Sequence, residues 1–143
     1  MNLDDIKQLI PHREPFLWLD EVILQSNEGL VATKYIDPNL ELFKGHYPNV
    51  PILPGVIQCE ACFQAAAVFM AKQHPPGEGR VPVVTRQNET RFRRIVRPGE
   101  TITIEIKLTE QLANAFFFTG KVSVEGQVAV RLEFAVADAP LPE

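Results

Sequence analysis

The segment 56–72, VIQCEACFQAAAVFMAK, restricts the fold of this chain more than any other feature of its sequence. Its residues favour a helix, and apolar side chains occupy nearly every side of it, with polar exceptions at Gln58, Glu60 and Gln64. A helix that is apolar all round is stable only where other elements cover it. The segment is too short, and too polar at these three positions, to span a membrane, so we expect it at the centre of a globular fold.

Most of the remaining chain has the pattern of β-strands. Short turns join neighbouring segments, which favours a mostly antiparallel sheet, and such a sheet covers a helix only by curling around it. The predicted strands, preceded by a short amphipathic helix over residues 3–10, are 21–24, 30–36, 81–85, 91–96, 101–109, 115–124 and 127–137. The sequence therefore predicts one α+β domain over residues 1–143, with six or seven strands around one long helix.

The charge of the chain limits its partners. Asp and Glu outnumber Lys and Arg by 18 to 14, which gives a formal net charge of -4 and no overall attraction to nucleic acid or to an anionic membrane. The N-terminal segment MNLDDIKQLI has acidic residues where a signal peptide has basic ones, and no uncharged run is long enough to span a bilayer. We therefore expect a cytoplasmic protein that binds no nucleic acid and does not insert into membranes.

Two cysteines, Cys59 and Cys62, form a C-x-x-C motif, which occurs in redox-active and zinc-binding proteins. They lie inside the predicted helix rather than at a strand-to-helix turn, and the sequence has no second ligand pair. We therefore interpret them as buried apolar thiols and expect no metal site.

Glu60 is an ionisable group in an apolar helix. Burial disfavours the charged carboxylate and raises its pKa, so Glu60 is a candidate general acid. Gln64 lies four residues later on the same helical face, where its amide can hydrogen-bond the carboxyl group and orient it. The alternative interpretation is a glutamate that reaches solvent or pairs with an arginine.

His46 lies in a loop between Gly45 and Pro48 that leaves the backbone little freedom. Imidazole is the side chain best suited to removing a proton near neutral pH, so His46 is a candidate general base. The alternative is a histidine that only stabilises a turn, which is how we interpret His12 and His74. Gly55 opens the helix, where free N–H groups and the helix dipole favour a negatively charged oxygen.

The segments PHREPFLWLDEV, GHYPNVPILPGVIQCEACFQAA and RFRRIVRPGE resemble, in this order, motifs of the 3-hydroxyacyl-acyl-carrier-protein dehydratases of bacterial fatty-acid synthesis. The most specific part is G-H-[FY]-P-x-x-P-x-x-P-G followed by a glutamate fourteen residues after the histidine. The matching residues are His46, Pro48, Pro51, Pro54, Gly55 and Glu60.

The resemblance implies a hot-dog fold, in which an antiparallel sheet wraps a central helix. It also implies a homodimer with two shared active sites and further assembly to a trimer of dimers. His46 would take a C2 proton from a 3-hydroxyacyl thioester, and the start of the helix, at Gly55 and Val56, would bind the thioester oxygen. Glu60 of the partner subunit, oriented by Gln64, would protonate the departing hydroxyl. No metal or organic cofactor is implied.

The sequence departs from this family pattern around the expected acyl tunnel. The segment 84–90 is polar where the family has small or apolar residues, Phe63 replaces a small residue, and Ile95 replaces a proline. A shorter or bent tunnel is expected.

Six of the fourteen basic residues fall between Arg80 and Arg97. Such a patch can attract an acidic acyl-carrier protein, although it can equally be a solvated strand face balanced by Glu89 and Glu100. The candidate docking residues are Arg91, Arg93, Arg94 and Arg97.

Two other functions fit a hot-dog fold. One is an acyl thioesterase, in which Glu60 beside Arg86 would activate water or attack the thioester. The other is a non-catalytic subunit that binds acyl groups or assists assembly. The presence of both His46 and Glu60 favours the dehydratase over either alternative.

Overall fold

A six-stranded antiparallel sheet forms most of the protein in the computed structural model, which describes residues 1–142. The strand order is β1-β2-β4-β5-β6-β3, and every neighbouring pair is antiparallel. The strands are β1 (Glu21–Gln25), β2 (Gly29–Tyr35), β3 (Arg80–Phe92), β4 (Thr101–Leu112), β5 (Ala115–Val124) and β6 (Gln127–Pro140).

The long helix α2, Gly55–Gln73, packs on one face of this sheet, as the apolar segment predicts. The isoleucines at 102, 104 and 106 of β4 all point into the core beneath it. A short helix, α1 (Leu3–Leu9), opens the chain, capped by the side chain of Asn2, and a 3-10 turn covers Glu41–Lys44. The predicted α+β architecture is confirmed.

The two cysteines are buried in α2 and neither forms a disulfide, in agreement with their interpretation as apolar thiols. Burial raises the pKa of both thiols, so neither is a ready nucleophile. Within residues 1–142, no helix is long and apolar enough to cross a membrane.

One strand differs from its prediction. The segments 81–85 and 91–96 were expected to form separate strands, but the structure joins them into β3, which ends at Phe92, so residues 93–96 lie outside the strand. Register shifts between Val84 and Arg86 and between Asn88 and Arg91 interrupt the alternation of the side chains. Such bulges make one irregular strand resemble two regular ones.

The two edges of the sheet are unequal. The edge strand β1 has five residues, whereas β3, at the opposite edge, has thirteen. Nearly all of β3 is exposed, including Val83, Val84 and Phe92. A long, exposed edge strand offers unpaired backbone groups to another strand.

Candidate active site

His46 is held in the loop between the 3-10 turn and α2. Its Nδ1 lies 3.1 Å from the carbonyl oxygen of Ile52. Because a carbonyl only accepts, Nδ1 carries the proton and donates it, which leaves Nε2 as an acceptor. The ring of Tyr47, whose backbone has a positive φ of 53°, packs edge-on against the imidazole with ring centroids 4.8 Å apart.

The imidazole lines a groove of about 440 Å³ that opens over the first turn of α2. Gly55 and Val56 form part of its wall, together with Phe92 at the end of β3. The groove also contains Gln58, a buried side chain whose Oε1 has no hydrogen-bond partner among the described residues. A substrate in this groove therefore meets both the imidazole and the start of the helix.

The first turn of α2 has backbone N–H groups without partners, a feature that suits an anion. Pro54 precedes the helix and provides no side-chain cap, so the N–H groups of Gly55 and Val56 lack intrahelical partners. A Cβ atom at Gly55 would collide with the ring of Phe92. The absence of a side chain at Gly55 thus allows this ring to approach the start of the helix closely, and a larger residue would displace the ring.

Glu60 lies one turn further along α2 and is only partly exposed. Its Oε2 accepts a hydrogen bond of 3.1 Å from Nε2 of Gln64, which is fully buried. The same amide donates to the carbonyl of Phe16 at 2.8 Å and accepts from the N–H of Trp18 at 2.7 Å. Backbone groups thus hold both the oxygen and the nitrogen of the Gln64 amide. This fixed amide in turn orients the carboxyl group of Glu60.

Burial raises the pKa of the Glu60 carboxyl above its ordinary value. The hydrogen bond from Gln64 acts in the opposite direction, since it stabilises the charged form, but the effect of burial is the larger. Glu60 is therefore protonated more readily than an ordinary glutamate, which suits a group that donates a proton.

The single chain does not bring all of these groups together. The groove beside His46 contains the helix N-terminus, but Glu60 is not among the residues that line it. The candidate base and the candidate anion site thus share one groove, and the candidate acid is not among the residues that line it.

The candidate docking arginines fall into two groups. Arg94 forms a salt bridge of 2.9 Å with Glu100, and its side chain is only 24% exposed. Arg91, Arg93 and Arg97 are exposed. Arg94 is therefore engaged within the protein, and Arg91 lies 3.9 Å from the carboxylate of Glu89, whereas Arg93 and Arg97 form no salt bridge among the described residues.

Sequence reasoning missed three contacts around the site. These are the binding of Gln64 to the backbone of Phe16 and Trp18, the packing of Phe92 over Gly55, and a hydrogen bond of 3.5 Å from Gln87 to Sγ of Cys59. Each joins residues far apart in the chain, so no local spacing reveals it. The one available signal was a glutamine at an otherwise apolar position of a buried helix.

The model of the FabA-like domain matches residues 10–133 of this chain. The chain belongs to the FabA-like family. A relative from Coxiella burnetii, named 3-hydroxyacyl-[acyl-carrier-protein] dehydratase FabZ, is 38% identical over 136 residues, which cover 93% of this chain and 96% of the relative. The family predicted from the three sequence motifs is thus confirmed.

Solved structures with a FabA-like or related fold are also similar. The dehydratase heterocomplex ApeI:P from Xenorhabdus doucetiae contains a chain with a TM-score of 0.78 and 18% identity, covering 94% of this chain and 90% of that one. A hypothetical thioesterase with coenzyme A from Streptococcus pneumoniae has a TM-score of 0.66 and 11% identity. The match covers 86% of this chain and 88% of the thioesterase chain. These similarities establish the hot-dog fold and do not separate dehydration from thioester hydrolysis.

Proposed function

We propose that this protein dehydrates 3-hydroxyacyl thioesters, bound to an acyl-carrier protein, to trans-2-enoyl thioesters in fatty-acid or related acyl-chain synthesis. The observation that carries the proposal is the groove in which His46 faces the uncapped start of α2. The FabZ relatives, which are similar over nearly their whole length, support the same reaction.

The reaction begins with loss of the C2 proton. Nε2 of His46 accepts this proton, because Nδ1 is already committed as a donor to Ile52. As the C2–H bond breaks, negative charge develops on the thioester oxygen. The N–H groups of Gly55 and Val56 stabilise this charge, aided by the positive end of the helix dipole.

Loss of the hydroxyl group completes the reaction. Glu60, whose pKa is raised by burial and whose carboxyl group is oriented by Gln64, gives its proton to the oxygen on C3. The C3–O bond breaks, water leaves, and the electrons of the former C2–H bond form the double bond. Neither step needs a metal or an organic cofactor.

The acid and base come from different subunits in this proposal. Glu60 is absent from the groove of its own chain, so a second copy has to supply the carboxyl group. The exposed strand β3 ends at Phe92, which is 57% exposed and packs over Gly55. Pairing of two copies along β3 would bury this edge and complete the site, giving a homodimer that can assemble further into a trimer of dimers.

The carrier approaches the mouth of the groove, beside the exposed Arg93 and Arg97. Positive charge there attracts an acidic carrier and raises the rate of encounter. We place the reaction in the cytoplasm, as predicted from the sequence.

A single assay separates dehydration from the alternatives. A 3-hydroxyacyl thioester is supplied, and both the absorbance of the enoyl product and the release of free thiol are followed. Absorbance without free thiol supports the proposal. Thiol release identifies a thioesterase, and binding with neither signal identifies a non-catalytic subunit.

Mixed dimers test the shared site. The variants His46→Ala and Glu60→Gln are each expected to be inactive alone, and to regain activity when mixed and allowed to exchange subunits. One of the two sites in a mixed dimer then has both residues. If subunit exchange is demonstrated by mass spectrometry and no activity returns, the shared site is wrong.

A further inference from the structure

A partly exposed face of α2 continues beyond Glu60. Residues 56, 60, 63, 67 and 71 follow one another at intervals of three or four, so they share one side of the helix. None of the five is fully buried, whereas most residues on the other sides of α2 are. We call this side the α2 strip. It begins at the proposed anion site, passes the carboxyl group and continues toward the C-terminal end of the helix.

Two segments flank the α2 strip. On one side, the buried amide of Gln64 binds backbone groups of Phe16 and Trp18, which fixes the segment 10–18 against the helix. On the other side, Gln87 of β3 donates a hydrogen bond to Cys59 of α2. The strip therefore runs between the segment 10–18 and β3.

A cavity of about 170 Å³ lies at the far end of the strip. Ala67 and Ala71 form its floor, and His12 and Pro82 come from the two flanking segments. Ala67 lies seven residues beyond Glu60, which corresponds to about 10 Å along the helix axis. Most of the lining side chains are apolar, so this distal cavity suits a hydrocarbon chain better than a charged group.

Phe63 stands on the strip between Glu60 and the distal cavity. Its ring makes an edge-to-face contact with Phe134, with centroids 5.0 Å apart, and Phe134 stacks on Phe118 at 5.3 Å. Phe134 is paired with Gln87 across β6 and β3, so both side chains lie on the same face of the sheet. The ring of Phe63 is thus held against β6, beside the β3 position of Gln87, by its aromatic contacts.

We propose that the acyl chain runs along the α2 strip from Glu60, and that Phe63 sets the upper limit on its length by blocking the way to the distal cavity. This inference rests on the proposed dehydratase activity. Short 3-hydroxyacyl thioesters end before the ring and react, whereas the alkyl ends of long ones collide with it. The distal cavity is then unused space that a smaller residue at position 63 would connect to the site.

The test compares 3-hydroxybutyryl and 3-hydroxydodecanoyl thioesters of N-acetylcysteamine, with enoyl absorbance as the readout. For the unchanged protein, we expect kcat/KM for the dodecanoyl compound to be at least about tenfold lower than for the butyryl compound. Phe63→Ala should raise the dodecanoyl value about tenfold and change the butyryl value little. Phe63→Leu, which keeps more of the core packing, should give a smaller gain in the same direction.

A second substitution separates length control from a general change of packing. Ala67→Leu fills the distal cavity, so it should cancel the gain of Phe63→Ala when the two are combined. Alone, it should leave the chain-length profile unchanged, because the chain does not reach the cavity past Phe63. Thermal unfolding of each variant checks that it is folded under the assay conditions.

The outcomes distinguish this inference from the function on which it depends. If the unchanged protein dehydrates both thioesters equally well, or if Phe63→Ala and Phe63→Leu leave the ratio between them unaltered, length control by Phe63 is wrong and the dehydratase stands. If it dehydrates neither thioester, the proposed function fails and the inference falls with it.

Discussion

His46 and Glu60 occupy opposite kinds of surroundings. The imidazole is in an irregular loop, fixed by one hydrogen bond to Ile52 and by the ring of Tyr47. The carboxyl group is on a regular helix, hydrogen-bonded to a fully buried amide. The loop holds the imidazole where a substrate can reach it. The helix holds the carboxyl group in a fixed orientation and also raises its pKa. Two ways of fixing a side chain thus suit two different tasks in proton transfer.

Removing either group should break the proposed chemistry with little effect on the fold. For both His46→Ala and Glu60→Gln, we expect kcat/KM to fall by about a hundredfold to ten-thousandfold, the usual contribution of a positioned acid or base. The free energy of unfolding should change by less than about 1 kcal/mol for His46→Ala, because the loop side chain makes few contacts. Enoyl absorbance and urea denaturation measure the two effects.

The exposed Glu78→Gln is the control for loss of a carboxylate, and it should keep full activity. A His46 or Glu60 variant that retained more than a tenth of the original activity would show that the corresponding proton transfer is assigned to the wrong residue.

Gln64→Ala should show how much the buried amide of Gln64 contributes to the stability of the protein around Glu60. It removes three hydrogen bonds and leaves the N–H of Trp18 and the carbonyl of Phe16 without their partner. Each unsatisfied buried group costs about 1–3 kcal/mol, so we expect a loss of about 2–5 kcal/mol in the free energy of unfolding. Urea denaturation measures it, with the exposed Gln73→Ala as the matched control, which should change stability by no more than about 0.5 kcal/mol.

The raised pKa of Glu60 should also make the free energy of unfolding depend on pH, and we expect this effect to be smaller than that of Gln64→Ala. Because the folded state raises the pKa of Glu60 above its ordinary value of 4.5, folding favours the protonated carboxyl. This contribution is fully present below the ordinary pKa and is lost as pH rises through the higher pKa of the folded state. As the pH rises from below 4.5 through the pKa of the folded state, the free energy of unfolding of the unchanged protein should therefore fall relative to that of Glu60→Gln. Urea denaturation of both proteins across pH tests the sign, and a relative gain with rising pH would contradict it.

The smallest effect on activity is expected from the exposed arginines that follow β3, at the proposed approach of the carrier. Arg97→Ala should raise KM for a carrier-bound substrate by about twofold to fivefold at low salt, in keeping with an exposed charge. The increase should vanish at high salt and be absent for a small thioester. Arg94→Ala serves as the contrast, because it removes the partly buried salt bridge to Glu100 and should lower stability instead. Equal effects on carrier-bound and small substrates would rule out docking by Arg97.

The sequence predicted the helix and most strands because their patterns are local. Apolar residues on every side of the segment 56–72 require burial, and strict alternation in β4 identifies an inward face. The single strand β3 was not foreseen, because two register shifts and the positive φ of Glu89 break its alternation. Bulges of this kind depend on pairing with β6, which the segment itself does not encode.

The same distinction between local patterns and contacts of distant segments applies to the candidate site. His46 and Glu60 could be selected because a histidine among prolines and a carboxylate in an apolar helix are locally unusual. The hydrogen bond between Gln64 and Glu60 was predicted from their spacing and is present. The backbone partners of Gln64 and the ring over Gly55 come from distant segments, so only the folded structure identifies them.

The long open edge of β3 also bears on how this protein behaves in a cell. Until a partner pairs with it, a newly synthesised chain exposes thirteen residues of strand to any other extended polypeptide, and such an edge promotes aggregation. Pro82 and the two bulges reduce this hazard, because a regular strand cannot follow their irregular path. In the proposed dimer, pairing of this edge with a second copy would remove the hazard.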